Sequence, residues 1–332
     1  MSAPDYVIAG QGIAGSVFAL SAIERGLTVQ VVDPEFPSPC SRVAAGLMNP
    51  LSGPRLALGE NEEALWFTAR AFYRRWEETL GVSFFKERPI LRLFTDPAQA
   101  SAWTKRLRDP RYDPWHEPLP EEWERRAPFG GFTTKRCGRL DPVAFLDATR
   151  AWLQGRGAYR RGSIDAEDGA AIVWCIGHFA RGHGPFQEIP LRPARGSILT
   201  LRAPGFREER ILHAGKWLLP LGQGVFRAGS SYEWDPADSL PSRRAREEIA
   251  AFASQWIGPD WTLLQEEAAI RPMARQGRPI LGPHPRDPRQ ILFNGLGSRG
   301  AMLAPWHAGR LLDHLAEGTA PTGELDLARF FG

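Results

Sequence analysis

Residues 5–33, DYVIAGQGIAGSVFALSAIERGLTVQVVD, decide the fold. Asp5–Ala9 is a short apolar run with β-branched residues and reads as a buried strand. Gly10, Gly12 and Gly15 follow as GQGIAG. Ser16–Arg25 has helical periodicity through Val17, Leu20 and Ile23; Gly26 stops it, and Thr28–Val32 is a second strand closed by Asp33. Glycine has a distinct use at each place. Gly10 permits the tight turn, Gly12 lets the backbone approach a pyrophosphate, and Gly15 lets helix and strand pack closely. The helix start at Ile13 and Ala14 offers free N–H groups and a positive dipole end to phosphates. Asp33 is placed to accept hydrogen bonds from a ribose. A GxGxxG alone is weak evidence, but here the strand, helix, second strand and terminal acid supply its context. The competing reading is a glycine-rich turn in an α/β protein that binds no nucleotide.

The chain has 332 residues, enough for a large core and two lobes. It is 43% hydrophobic and 24% charged, with a net charge of +3, too small to imply nucleic acid or an anionic membrane. Its three cysteines, Cys40, Cys137 and Cys175, form no CxxC, which argues for reduced thiols and a cytoplasmic location. No signal segment, transmembrane span or metal-ligand spacing is read in the sequence, so no membrane or metal is expected.

Beyond the first unit, the loop Ser41–Pro50 (SRVAAGLMNP) is dense in small residues, as close backbone approach to a ligand requires. It also reads as a helix start packed on the first lobe. Glu60–Leu80 is an amphipathic helix, Phe84–Phe94 a hairpin, Pro97–Arg108 a helix, and Asp109–Pro128 an irregular excursion whose Trp115, Trp123 and His116 are packing groups. Gly130–Arg139 reads as a second hairpin, and Asp141–Gln154 as a helix capped by Asp141 with Pro142 in its first turn. Ala170–Ile176 (AAIVWCI), ended by Gly177, returns to the parallel sheet. Ser197–Leu201, Lys216–Leu221 and Val225–Ser230 read as antiparallel strands, and Arg243–Trp256 as a helix. Gln290–Asn294 is a strand leading through a second glycine turn, Gly295–Gly300, into the helix Ala301–Leu315. A ligand belongs between the two lobes, at the carboxyl ends of the parallel strands.

Taken together, GQGIAGS with Asp33, SRVAAGLMNP, VWCIGH, IRPMARQGRPILG and GLGSRGAMLAP resemble the D-amino-acid-oxidase-type FAD-dependent oxidoreductases, which include glycine and sarcosine oxidases. The resemblance covers nearly the whole chain. It implies an α/β fold: a Rossmann-like FAD-binding domain with a parallel sheet, discontinuous in sequence (1–50, 141–190 and 269–332). The second, α+β substrate domain (51–140 and 191–268) is built on a mostly antiparallel sheet. Within the group, Gly130–Pro142, VWCIGHFARGHGPFQEIPLRPARGS, WLLPLGQGVFRAGSSYEWD and GLGSRG are similar to the C-terminal oxidase domain of the bifunctional tRNA 5-methylaminomethyl-2-thiouridine biosynthesis protein.

Carried over position by position, the resemblance assigns Gly10, Gly12, Ile13, Ala14, Gly15 and Asp33 to the ADP half of FAD. Arg42, Ala45, Gly46 and Gly177 would line its middle, and Gly297, Ser298, Arg299, Gly300 and Met302 its flavin. Arg271 falls where these enzymes hold the substrate carboxylate; Trp217 stands where glycine oxidase has a substrate-facing tyrosine, and Tyr232 at another site-facing position. The family often has an acid after the Arg-Pro, whereas here the run is Met273-Ala274-Arg275-Gln276-Gly277.

A guanidinium makes a bidentate, charge-assisted pair with a carboxylate and so orients the adjacent C–H. The implied function is oxidation of a C–N bond of an amino acid or N-substituted glycine, amine to imine, by hydride transfer to flavin N5. Reduced flavin would pass electrons to O2 or another acceptor. Two alternatives stay open: a stand-alone oxidase of carboxymethylaminomethyl groups on tRNA wobble uridine, and a non-catalytic FAD-binding subunit. Basic clusters at 105–111, 125–126, 135–139 and 156–161 suit a tRNA surface or an ordinary solvated one. The second glycine turn disfavours an NAD(P) dehydrogenase.

Overall fold

The computed structural model describes residues 3–37, 39–163, 170–236, 238–274, 277–318, 323 and 327–331. The first unit forms as its sequence dictates: strand Tyr6–Ala9, helix Ile13–Glu24, strand Val29–Asp33. These strands enter a six-stranded sheet in the order Ile280–Pro283, Gln290–Asn294, Ala171–Trp174, Tyr6–Ala9, Val29–Asp33, Tyr159–Arg161. All neighbours are parallel except the edge strand Ile280–Pro283. The apolar runs bury both faces, as a covered parallel sheet requires. Ile8, Val173 and Phe293 pack under the helices, while Val7, Ile172 and Leu292 pack on the opposite side.

A nine-stranded sheet faces it. Its order is Thr262–Arg271, Ala194–Arg202, Val225–Gly229, Lys216–Gly222, Ile211–Ala214, Ile90–Leu93, Gly131–Thr134, His116–Pro118, with Glu233–Trp234 pairing to the start of Ala194–Arg202. Only the Ile90–Leu93/Ile211–Ala214 contact is parallel. Strand alternation gives the sheet two apolar faces. Leu91, Leu199, Leu212 and Leu218 meet Ile249 and Phe252 of the helix Arg243–Ile257. The other face carries, in cross-strand register, Ile198, Gly229, Trp217, His213 and Arg92. The strand Thr262–Arg271 runs unbroken through the expected domain boundary at 268/269.

Neither expected hairpin forms. Phe85–Glu87 and Gly138–Leu140 pair with each other, joined by Leu47–Met48 in a three-stranded sheet, while Ile90–Leu93 and Gly131–Thr134 pair in the large sheet. Each arm therefore finds its partner in the other segment, and Pro89, with no N–H to donate, stands where the first segment steps between sheets. The 109–128 excursion resolves into a 3-10 turn Pro110–Trp115, a strand His116–Pro118 and a short helix Glu121–Glu124, with Trp115 and Trp123 buried as packing groups. Asp141 caps its helix as expected, its carboxylate accepting from the Ala144 N–H at 3.2 Å. No helix among the described residues is long and apolar enough to cross a membrane.

Candidate active site

A cavity of about 510 Å³ lies between the two large sheets. One wall is made of the turn at Gly12–Ala14, the loop around Ala45 and Gly46, Gly177, and the turn Gly297–Gly300. The opposite wall is the open face of the large sheet, with Gly196, Ile198, His213, Trp217 and Arg271.

The first wall is a cradle with no room for side chains. A Cβ at Gly15 would sit 1.9 Å from the Gly10 carbonyl oxygen, and Gly10 itself has φ +93 with Cys175 O 3.1 Å from its would-be Cβ. At Gly46, φ is +73 and a Cβ would lie 1.9 Å from Leu140 O. Both helices that point at the cavity, Ile13–Glu24 and Gly300–Glu317, begin without a side-chain cap from their cap residues. Ser41 supplies one neighbour, its hydroxyl accepting from the Ile13 N–H at 3.1 Å. Two helix N-termini and a groove whose turns are built from small residues fit a dinucleotide carrying a flat ring, as FAD does.

Three residues that the sequence reading did not single out hold this wall. Arg227 is buried, pairs with Glu267 at 3.2 Å and donates to the Val43 and Ala44 carbonyls at 2.7 and 3.2 Å, pinning the small-residue loop. Asn294 donates to Gly177 O at 2.7 Å and accepts from Gly295 N–H at 2.8 Å, tying the two glycine turns together. Arg150 pairs with Asp33 at 3.3 Å and with Glu35 at 3.1 Å. Asp33 thus stands at the end of its strand, bound to Arg150, and is not among the residues that line the cavity.

Among the residues expected at the site, Gly12, Ile13, Ala14, Ala45, Gly46, Gly177, Gly297, Ser298, Arg299, Gly300, Trp217, Tyr232 and Arg271 line the cavity. Arg42 and Met302 do not. Arg42 is turned away, bound by both its terminal nitrogens to Asp147 at 2.7 and 3.1 Å. Met302 points into the core, fully buried, because it lies one position past the turn of the helix that opens on the cavity. The Arg299 side chain is committed to buried Glu62, at 2.6 Å. Arg275 and Gln276 of the segment after Arg271 lie outside the described residues.

Arg271 ends its strand half-buried, with its guanidinium over the backbone of Gly196. It donates to Ser230 Oγ at 2.8 Å and to Ser231 O at 3.2 Å, and covers the Tyr232 ring at 4.4 Å. Among the described residues no carboxylate pairs with it. Burial holds its pKa below the usual arginine value, against the pull of Tyr232 and Cys40. Tyr232 is 49% exposed, so it stands at the mouth, whereas Trp217 at 9% is an inner wall. Arg92 and His213 line the same wall and went unnoticed in the sequence. The Cys175 thiol is buried and pushed up by burial, as expected of sheet filling, and His178, pushed down to about 4 by burial, is a loop histidine outside the cavity. Members of the basic clusters are paired: Arg111 with Asp109, Lys135 with Glu117, Arg136 with Glu63 and Arg139 with Asp141.

Comparison with known proteins agrees with this geometry. Glycine oxidase of Pseudomonas aeruginosa is 29% identical over 137 residues, 40% of this chain and 37% of that protein. Glycine oxidase of Pseudomonas putida is 29% identical over 122 residues, 36% of this chain and 33% of that protein. The matched part thus spans about a third of either relative. Among solved structures, iminodiacetate oxidase from Chelativorans sp. BNC1 superposes with TM-score 0.78 at 21% identity, covering 98% of both chains. Glycine oxidase from Geobacillus kaustophilus superposes with TM-score 0.80 at 18% identity, covering 98% of this chain and 97% of that one. At such identities these structures establish the fold. The family model described as FAD dependent oxidoreductase matches residues 5–315, spanning both glycine turns and the strand that ends in Arg271, and the chain belongs to that family, DAO.

Proposed function

We propose that this chain oxidises a C–N bond of an amino acid or N-substituted glycine, with the substrate carboxylate held by Arg271. The observation that carries this is the Arg271 guanidinium itself: it lines the cavity, is braced by Ser230 and Tyr232, and has no carboxylate partner among the described residues. A buried cation of that shape favours a planar anion bound by two parallel hydrogen bonds. Docking the carboxylate there aims the neighbouring carbon across the cavity at the Gly297–Gly300 turn. Bound FAD supplies the acceptor for the hydride that leaves that carbon. The protein's part is orientation and exclusion of water: Trp217 walls the site and Tyr232 stands at its mouth. The amine must be neutral when the hydride leaves; loss of its proton completes the imine, which water can hydrolyse. O2 or another acceptor would take up the electrons afterwards. The nucleotide part is proposed to comprise 1–50, 141–190 and 269–332, and the substrate part 51–140 and 191–268.

The test is an anaerobic absorbance spectrum of the purified protein, titrated with glycine, sarcosine, iminodiacetate and D-amino acids. Oxidised-flavin bands that bleach with at least one of these support the reading, and Arg271→Ala should remove the bleaching at the same concentrations. Flavin bands that no amine bleaches would replace it with a non-catalytic FAD-binding subunit.

A further inference from the structure

Arg92 is a second cation on the same wall. It sits in the strand Ile90–Leu93 at 2% exposure, on the cavity face of the sheet. Its Nη1 donates to Nδ1 of His213, its cross-strand neighbour. Its Nη2 reaches the Gly53 carbonyl only at 3.4 Å, and its Nε has no partner. Burial alone lowers its pKa, to about 10, and no acid opposes that shift. His213 brings no negative charge, because burial and the Arg92 charge keep its ring neutral.

A buried guanidinium without a counter-charge is costly. Buried Arg227, behind the small-residue loop, is matched by Glu267, and half-buried Arg299 on the cavity lining by Glu62. Among the described residues, Arg92 and Arg271 are the cavity-lining arginines without an acid. We propose that Arg92 and His213 form a second anion-binding subsite, and that the substrate is an amine with two acidic groups, an α-carboxylate at Arg271 and a distal carboxylate or phosphate at Arg92. This deepens, and rests on, the amine-oxidising reading above.

The spacing restricts the substrate further. The Arg271 guanidinium lies over the strand Ala194–Arg202, and that of Arg92 reaches the strand Ile211–Ala214. Three strand spacings separate those strands, about 14 Å on a flat sheet, and Gly196 lies two residues from Ile198, the position in register with His213, which brings the separation to about 16 Å. Allowing ~4 Å at each end for a guanidinium–carboxylate pair leaves about 6–8 Å between the two acid carbons, or roughly four to seven bonds. The matching ligands are N-(carboxyalkyl)glycines with roughly one to four methylenes in the second arm.

The experiment uses the FAD-loaded protein and thioethers, which carry no amine to oxidise. Methylthioacetate, thiodiglycolate, 3-(carboxymethylthio)propionate and phosphonomethylthioacetate are titrated by calorimetry, and the shift of the flavin band is followed. The diacids should bind about 10–100-fold tighter than the monoacid, the size of a buried charge-assisted pair. The carboxylate and phosphonate arms decide which distal anion is preferred. Arg92→Gln and His213→Gln should pull the diacid-to-monoacid ratio toward one, and Arg92→Lys should restore part of it. A wild-type ratio near one overturns the subsite, whether or not the variants fold, as does a ratio that survives both glutamine variants. The two readings fail separately. Diacid preference without bleaching by any amine removes the oxidase and keeps the subsite; bleaching by glycine derivatives without diacid preference does the reverse.

Discussion

A Cβ added to Gly196 would sit 1.9 Å from Nη2 of Arg271. The space over that residue belongs to the guanidinium. Because the obstructed group is the end of a flexible side chain, the fold can absorb Gly196→Ala by moving Arg271. The expected variant is folded and flavin-loaded but loses its carboxylate grip: KM for amino-acid substrates should rise at least about 10-fold, the size of one charge-assisted pair. Steady-state kinetics beside a thermal melt checks this, and a Tm collapse with unchanged KM would contradict it.

Gly15 meets a different obstacle. Its added Cβ would approach the Gly10 backbone carbonyl at 1.9 Å, and backbone cannot step aside. Gly15→Ala should therefore open the nucleotide turn itself, costing about 3 kcal/mol or more through overpacking. Flavin content per protein, read from the absorbance ratio after gel filtration, should fall well below that of the wild type.

Arg227 is the post behind the small-residue loop. Removing it leaves half-buried Glu267 and two half-buried backbone carbonyls without their partner. Arg227→Met should cost about 2–4 kcal/mol. The loop it pins carries Ala45 and Gly46, so flavin release in a fluorescence assay should quicken in step with the lost stability.

Acid sensitivity has a location. Arg210 binds Glu208 at 2.8 Å and Glu122 at 2.9 Å. Burial would raise the Glu208 carboxyl, but the Arg210 bonds outweigh it, and both acids titrate below the usual glutamate range. A depressed folded pKa means stability that is complete above the unfolded value, near 4.3, and lost as pH falls through the folded one. Arg210→Met should lower Tm at pH 7, and its gap to wild type should narrow steadily from about pH 5 to pH 3. A gap constant over that range would place the effect of Arg210 in packing alone.

The parts of the molecule that could be read in advance are those whose physics is local. The GQGIAG turn works through neighbours within thirty residues, and its strands pair as the pattern requires. Asp141 and Pro142 announce a helix start by themselves. The two false hairpins fail for the opposite reason, since their true partners lie some fifty residues away. Arg92 was hidden by its pattern. Ile90-Leu91-Arg92-Leu93 looks like a strand with one wet face, yet helix Arg243–Ile257 covers the leucines and the cavity covers the arginine. An isolated charge within a strand whose flanks are fully apolar was the available signal. Arg42 misled because a resemblance transfers a position, not a side-chain direction; Asp147, 105 residues away, decides that direction.

The backbone of Met273, two residues past Arg271, pairs with Leu296 at the start of the second glycine turn. Three peptide units and this bridge thus tie Arg271, the proposed carboxylate anchor, to the second glycine turn. That gauge length is built into the main chain, and side-chain exchange elsewhere does not alter it. The far end of the same wall, with Arg92 and His213, hangs on other strands of the large sheet, and among the described residues it shows no such tie to the glycine turn. On the proposed reading, substrate preference can therefore change at the Arg92 end of the cavity while the spacing of Arg271 from the glycine turn is kept.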